Sequence, residues 1–237
     1  MNVRSFINRQ LNKVIAGAYG SGSFSQFGED LIISQALSII GEKKNISYLD
    51  IGAHHPYSLS NTYYFYRKGF SGILVEPDPY LCTKLKKRKR DQILNCGVGF
   101  GDSIEIAKLY IMDARVLSTF SFEEAKRIEK NTQYKIIDEI SVELIPINIM
   151  LEKHIAFLPS ILSIDVEGLD FDILNSINFE KHRIPVVVAE TLTFEPAVGG
   201  RKIGAILDLM NKNDYQVFAD TRCNTIFVDG RRMPNNV

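Results

Sequence analysis

From Asn45 onward, short apolar runs alternate with stretches whose apolar positions recur at helical spacing. That alternation predicts βαβ units around a mostly parallel sheet. Ser47 to Ile51, Gly72 to Val75, Gln92 to Cys96, Ile161 to Asp165 and Val186 to Glu190 read as buried strands. Helices are expected over Gln26 to Ile40, Leu59 to Lys68, Pro79 to Lys89, Leu169 to Ser176 and Ile203 to Lys212. Gly69 stops the second of these, and Pro79 opens the third at a position that suits proline. The middle is less regular. Ser103 to Met112 and Ser141 to Ile147 look extended, Ile149 to Ala156 helical, and Ser121 with Glu124 has capping-box spacing for a helix to about Lys130. Tyr215 to Ala219 and Thr225 to Val228, joined by a polar turn, read as a closing antiparallel hairpin.

Met1 to Tyr19 has the pattern of a short basic amphipathic helix, with Phe6, Ile7, Leu11, Val14 and Ile15 apolar. Packing or docking is favoured for it over a membrane surface, because few basic residues face outward. It lacks the apolar core of a signal peptide, and no later stretch approaches a membrane span. The expected organisation is a helical extension over residues 1–24 and one catalytic domain over 25–237.

The 237 residues, 45% hydrophobic and 24% charged, suit one large α/β domain with its own core. Lys plus Arg and Asp plus Glu each number 28, so no global field draws the chain to DNA or to a membrane. Cys82, Cys96 and Cys223 lack metal spacing and read as reduced thiols, which places the protein in the cytoplasm. A homo-oligomer is left open. The run Lys84 to Arg90 is the strongest local charge, read first as a solvated helix face. A phosphate or polyanion patch, suited to nucleotide-sugar or lipid-linked acceptors, is the lesser reading. Tyr63 to Tyr66, at helical spacing, form a core stripe rather than a sugar platform.

Ligands of open parallel sheets bind beyond the carboxyl ends of the strands. The first strand there ends Asp50-Ile51-Gly52-Ala53-His54-His55-Pro56, and the second ends Val75-Glu76-Pro77. Gly52 lets backbone approach a ligand closely, and Glu76 can accept both hydrogen bonds of a ribose diol. A D-x-G also ends strands in many α/β proteins, so Glu76 carries much of the weight. The dinucleotide pattern G-x-G-x-x-G fails after Gly52. S-adenosylmethionine carries no phosphate and needs no such cradle, so it is the adenosine cofactor expected.

Ser25-Gln26-Phe27-Gly28-Glu29-Asp30, the Asp50 to Pro56 segment, Ser60-Asn61-Thr62-Tyr63, Asp165-Val166-Glu167-Gly168 and the strand ending at Glu190 follow in order. Together they resemble the FkbM-like methyltransferases, over about Ser25 to Val228. The resemblance implies a Rossmann-like class I methyltransferase fold, with a mostly parallel sheet and a C-terminal antiparallel hairpin. It also implies O-methylation of sugar or polyketide hydroxyls. It assigns Gln26, Glu29, Asp50, Gly52, Ala53, His54, Ser60, Asn61, Thr62, Glu76, Pro77, Cys96 and Gly97 to the cofactor. His54 departs from the pattern, since many members carry asparagine there.

Methyl transfer to an alcohol needs alignment, exclusion of water and a place for the acceptor proton. Asp165 and Glu167 leave the fourth core strand, and Glu190 ends the next, so these three and His55 are the catalytic candidates. Neighbouring acids must share a proton, act as a base or bind a cation. Asp165 and Glu190 are therefore candidate ligands for Mg or Mn. Glu167 or Asp170 as a helix cap is the bland alternative. The expected acceptor is a carbohydrate or secondary metabolite. An RNA methyltransferase and a non-catalytic S-adenosylmethionine-binding protein remain rivals, and a nicotinamide oxidoreductase ranks last on the glycine pattern.

Overall fold

The computed structural model describes residues 22–166, 168–192 and 201–234. The expected N-terminal helix, Met1 to Tyr19, and the candidate base Glu167 lie outside them.

In chain order the elements begin with α1 (Glu29–Ile39), β1 (Ser47–Ile51), α2 (Tyr63–Arg67), β2 (Ser71–Val75), α3 (Pro79–Leu85) and β3 (Gln92–Leu94). An inserted region follows: β4 (Gly97–Gly99), β5 (Glu105–Met112), α4 (Phe122–Asn131) and β6 (Ile136–Pro146). The chain then returns through α5 (Ile147–Lys153), β7 (Ile161–Ile164), α6 (Asp170–Ser176), β8 (Val186–Glu190), α7 (Gly204–Lys212), β9 (Tyr215–Asp220) and β10 (Asn224–Asp229).

Seven strands form one sheet in the order β3-β2-β1-β7-β8-β10-β9. Neighbours from β3 to β8 are parallel, and β10 runs antiparallel to both β8 and β9. This is the Rossmann-like, mostly parallel sheet closed by an antiparallel hairpin that the class I methyltransferase fold requires. The central strands are buried on both faces, which is why Ile161–Ile164 and Val186–Glu190 are apolar except at the buried Ser163 and the terminal Glu190. On one face Leu49, Ile51, Leu162, Val187 and Phe227 pack against Ile147, Met150, Ile173, Leu174, Ile206 and Met210 from α5, α6 and α7. On the other, Tyr48, Leu74, Val188 and Ile226 meet Ile33, Ala36 and Leu37 of α1, Phe65 of α2 and Leu85 of α3.

Helices start later or stop earlier than periodicity predicts where a polar side chain intervenes. Asp30 accepts from Ser23 Oγ, Phe24 N and Ser25 Oγ, which fixes that segment as a strap before α1. α2 keeps five residues because Ser60 Oγ takes the Thr62 and Tyr63 N–H groups in a turn. α3, N-capped by Asp78, ends at Leu85, after which the chain folds Arg88 inward. The third strand also stops early, because Gly97–Gly99 leaves it for a second sheet in the order β4-β6-β5. A Cβ on Gly97 would lie 2.4 Å from Leu144 Cδ2 and 2.9 Å from Phe120 Cζ, so a side chain there would displace those two.

Candidate functional site

The carboxyl ends of β1, β2, β7 and β8 share one edge of the sheet. The β9–β10 turn joins them, because β9 runs parallel to β8. At that edge Gly52 N and Ala53 N both donate to Val75 O, at 3.0 and 3.2 Å, so β1 curls toward the β2 end. Gly52 has φ +80°, and a Cβ there would sit 1.9 Å from the Asp165 carbonyl oxygen. The glycine is thus demanded by the protein itself, where β1 passes the end of β7, and even a methyl group collides.

Glu76 is buried, and both its oxygens are held: Oε2 accepts from His54 N and Oε1 from Asp78 N, each at 2.9 Å. Burial lifts its carboxyl from 4.5 to about 7, with Asp78 and Asp50 adding repulsion and the two backbone N–H groups opposing. Asn95 Nδ2 donates to the carbonyls of Glu76 and Pro77 and so fixes the end of β2.

Other predicted cofactor residues spend their side chains on the protein. Glu29 is fully buried, accepting from Phe27 N at 2.7 Å, Thr221 Oγ1 at 2.7 Å and Asn224 Nδ2 at 3.1 Å. It joins the strap to the hairpin tip, while Gln26 on the same strap is exposed. Thr62 Oγ1 donates to Asp50 Oδ2 at 2.5 Å, and Arg88 Nη1 reaches Ser60 Oγ and Thr62 Oγ1. Burial raises the Asp50 carboxyl, against the Arg88 charge. Asn61 Nδ2 donates to Ser163 Oγ at 3.2 Å, tying the turn before α2 to β7. Cys96 is buried, its thiol pushed up to about 11 by desolvation.

Asp165 is open to solvent yet closely surrounded by protein. That crowding raises its carboxyl above the usual range, and the Asp50 and Glu29 charges add to the effect. Glu190 is half-buried at the end of β8, where it pairs in register with Asn224. Cys223 sits on the hairpin tip, where desolvation first, then Glu190, Glu29 and Asp165, lift its thiol. Nothing in the cysteine spacing marked that residue, but the hairpin's direction places its tip on this edge. Asp170 is buried behind Asp165 at the first turn of α6, with its carboxyl raised to about 7 by desolvation and by Asp165. It takes backbone N–H groups of Val166 and Gly168, while its Oδ1 has no hydrogen-bond partner among the described residues.

Among the described residues no group of three or more His, Cys, Asp or Glu is arranged to hold a metal ion. Asp165 and Glu190, the expected Mg or Mn ligands, belong to no such group among the described residues. His55 does not join the acids. It faces Lys84 and Lys87, and its Nδ1 accepts from Tyr57 N and Ser58 N. His54 lies beside it at φ +45°, held down to about 4 by desolvation, His55 and Lys84.

The decisive observation is the match of residues 50–217, which include that edge from Asp50 to Glu190, to the methyltransferase FkbM domain. The chain belongs to the FkbM methyltransferase domain family. It is an S-adenosylmethionine-dependent methyltransferase, and the matched span runs from Asp50 at the end of β1 to Val217 in β9. No curated protein matches the sequence. Among solved structures the chain is similar to a TehB-like S-adenosylmethionine-dependent methyltransferase from Corynebacterium glutamicum. That match has 10% identity and TM-score 0.46, covering 95% of this chain and 97% of that one. It is also similar to the precorrin-6y C5,15-methyltransferase of Geobacter metallireducens, with 10% identity and TM-score 0.40, covering 78% and 71%. Among the described residues no helix is long and apolar enough to cross a membrane.

Proposed function

We propose that this methyltransferase acts on a hydroxyl of a sugar, glycan or secondary metabolite, with Asp165 as the base and Glu190 positioning the acceptor. The observation that carries the reading is Asp165 itself, a crowded carboxylate of raised pKa, open to solvent at the end of a central strand. A base of that kind suits an alcohol, which must lose its proton as the carbon–oxygen bond forms.

The edge of the sheet fits the methyl donor. Glu76 presents an acceptor-only carboxylate, and each oxygen keeps a lone pair beyond its backbone N–H for a vicinal diol. Gly52 keeps a Cβ out of the β1–α2 loop. When bound, S-adenosylmethionine supplies a methyl group already activated by its sulfonium. The chain's own work is then to hold the ribose at Glu76, to align the acceptor hydroxyl and to take its proton on Asp165. Glu167, outside the described residues, keeps its candidate role only on the sequence pattern.

The test is Asp165→Asn, assayed with methyl-labelled donor and glycan extracts. Turnover should fall about a hundredfold or more, with S-adenosylmethionine affinity unchanged, the usual mark of a lost general base. Near-normal turnover in both Asp165→Asn and Glu190→Gln would remove the carboxylates from the chemistry.

A further inference from the structure

The basic run divides in the structure. Arg88 is buried against Asp91, Arg90 donates to the Tyr66 carbonyl, and Lys86 and Lys89 are exposed. Lys87 instead turns toward the loop that follows β1, while Lys84 lies over Tyr80 of its own helix, near enough for its charge to act on His54 and His55. Lys84 Nζ lies 4.3 Å from the Tyr80 ring centroid and Lys87 Nζ 6.0 Å from that of Tyr57. Tyr57 in turn packs edge-on to His55, with centroids 5.9 Å apart. The His55 ring is fixed, because its Nδ1 accepts from Tyr57 N at 3.2 Å and Ser58 N at 2.9 Å. The ring proton is therefore on Nε2, a donor of set direction.

Among the described residues neither Lys84 nor Lys87 forms an ion pair. Asp78, the acid beside His54, is taken by Arg115 and by the Tyr80 N–H. So a half-buried lysine, an exposed lysine and a fixed imidazole donor gather one residue beyond His54, whose own N–H rests on Glu76. The surplus is local, since the chain as a whole carries a net charge of zero. Burial first, and then the two lysines, depress His55 below its ordinary value. An anion between them would relieve that repulsion and accept from all three groups at once.

We propose that His55, Lys84 and Lys87 form an anion subsite at the mouth of the cofactor cleft that takes the phosphate or diphosphate of a glycosyl phosphate acceptor. The proposal rests on the O-methylation reading, because it names the class of hydroxyl compound presented to Asp165. A sugar held by a phosphate tether reaches the reacting centre with its charge outside the acidic floor of Asp165, Glu190 and Asp50. A nucleoside diphosphate sugar and a lipid-linked diphosphate sugar share this chemistry.

The experiment uses the full chain with S-adenosylhomocysteine bound and inorganic pyrophosphate as the first probe, read by calorimetry and by the His55 imidazole resonances. Pyrophosphate should bind, shift the His55 Nε2 resonance and raise the His55 pKa by a unit or more. Lys84→Gln/Lys87→Gln should weaken pyrophosphate at least tenfold and leave S-adenosylhomocysteine affinity unchanged. A uridine-diphosphate sugar binding more tightly than pyrophosphate assigns the nucleotide source, and farnesyl diphosphate doing so assigns the lipid source. An unmoved His55 resonance overturns the subsite. So does an equal loss of S-adenosylhomocysteine in the double variant, which would give the lysines to the cofactor's carboxylate. Tighter, lysine-dependent binding of single-stranded RNA overturns it as well. Labelled methyl appearing only on uncharged glycans would overturn the subsite and leave O-methylation standing. Lysine-dependent pyrophosphate binding, with labelled methyl found on no hydroxyl, would do the reverse.

Discussion

Arg88 Nε donates to Asp91 Oδ2 at 2.6 Å, and neither side chain has any solvent exposure. The arginine comes from the most basic stretch of the chain, yet its guanidinium lies among the rings of Tyr48, Tyr63 and Tyr66, 5.2–5.8 Å from their centroids. Asp91 also accepts from Tyr48 Oη at 2.7 Å and Gly72 N at 3.0 Å, so one carboxylate ties β1, β2 and the turn after α3 together. Through Ser60 and Thr62 the same guanidinium reaches the turn before α2 and, by way of Thr62, Asp50. A charge buried without its partner costs far more than an exposed pair contributes, so this pair cannot be read as surface decoration.

Arg88→Met should destabilise the fold by about 3–5 kcal/mol, the usual cost of leaving one member of a buried pair alone. Urea unfolding would show it as a lower midpoint at unchanged slope. Lys89→Met, at an exposed position next door, should move the midpoint by less than about 0.5 kcal/mol. Equal effects of the two would mean that the buried pair contributes nothing of note.

Glu76 links the fold to cofactor affinity and to pH. Glu76→Ala should cost about 2–3 kcal/mol of S-adenosylmethionine binding, the scale of a charge-assisted hydrogen-bond pair. Ribose hydroxyls donate to the ionised form, and the carboxyl of the free protein titrates at about 7. Binding should therefore weaken about tenfold for each unit of pH below 7 and level off above it. The stability effect has the opposite sense. The folded value lies above the ordinary 4.5, so the fold prefers the protonated acid and loses that contribution as pH rises from 4.5 through 7. Glu76→Gln should abolish both slopes, and a wild-type affinity flat between pH 6 and 8 would contradict the assignment.

Gly52 and Gly28 separate strain from collision. Both have positive φ, but a Cβ on Gly28 meets nothing within 4 Å, whereas one on Gly52 meets the Asp165 carbonyl oxygen. Gly28→Ala should cost about 1–2 kcal/mol, the left-handed penalty alone. Gly52→Ala should cost more than that and displace the β7 end, lowering S-adenosylmethionine affinity as well. Thermal unfolding and calorimetry on the two variants check this, and equal losses would mean that the close approach is absent.

Much of the main sheet was legible because its strands are buried on both faces and leave apolar runs such as Ile73 to Val75 and Val186 to Ala189. Glu76 and Asp165 could be placed at the ligand edge by topology alone, since both follow the last buried residue of a parallel strand. What periodicity missed was set by contacts between segments distant in sequence. The second sheet rests on β4 pairing with β6, Gly97 opposite Leu144, and Arg88 leaves its expected helix face for Asp91, Ser60 and Thr62. Glu29 was read as a cofactor residue on motif alone. Its partners Thr221 and Asn224 lie about 190 residues away, beyond any local pattern.

Those partners give the last prediction. Glu29 is fully buried and holds three donors, one from the strap and two from the hairpin tip, so both segments depend on one carboxylate. Glu29→Ala removes all three bonds and strands the Phe27 N–H and the Asn224 amide, each worth about 1–3 kcal/mol if it stays dry, while Thr221 Oγ1 keeps the Asn224 carbonyl. Part of that cost is avoided by letting the tip open to water, and the tip carries Cys223. The half-buried thiol is protected by desolvation and by the acids around it, so it should react slowly in the wild type. In Glu29→Ala its alkylation should quicken at least tenfold, with faster hydrogen exchange confined to residues 23–28 and 221–224. Cys82 and Cys96, buried elsewhere, should keep their wild-type rates. Equal acceleration at all three cysteines would indicate global unfolding, and unchanged Cys223 reactivity would show that Glu29 does not hold the tip.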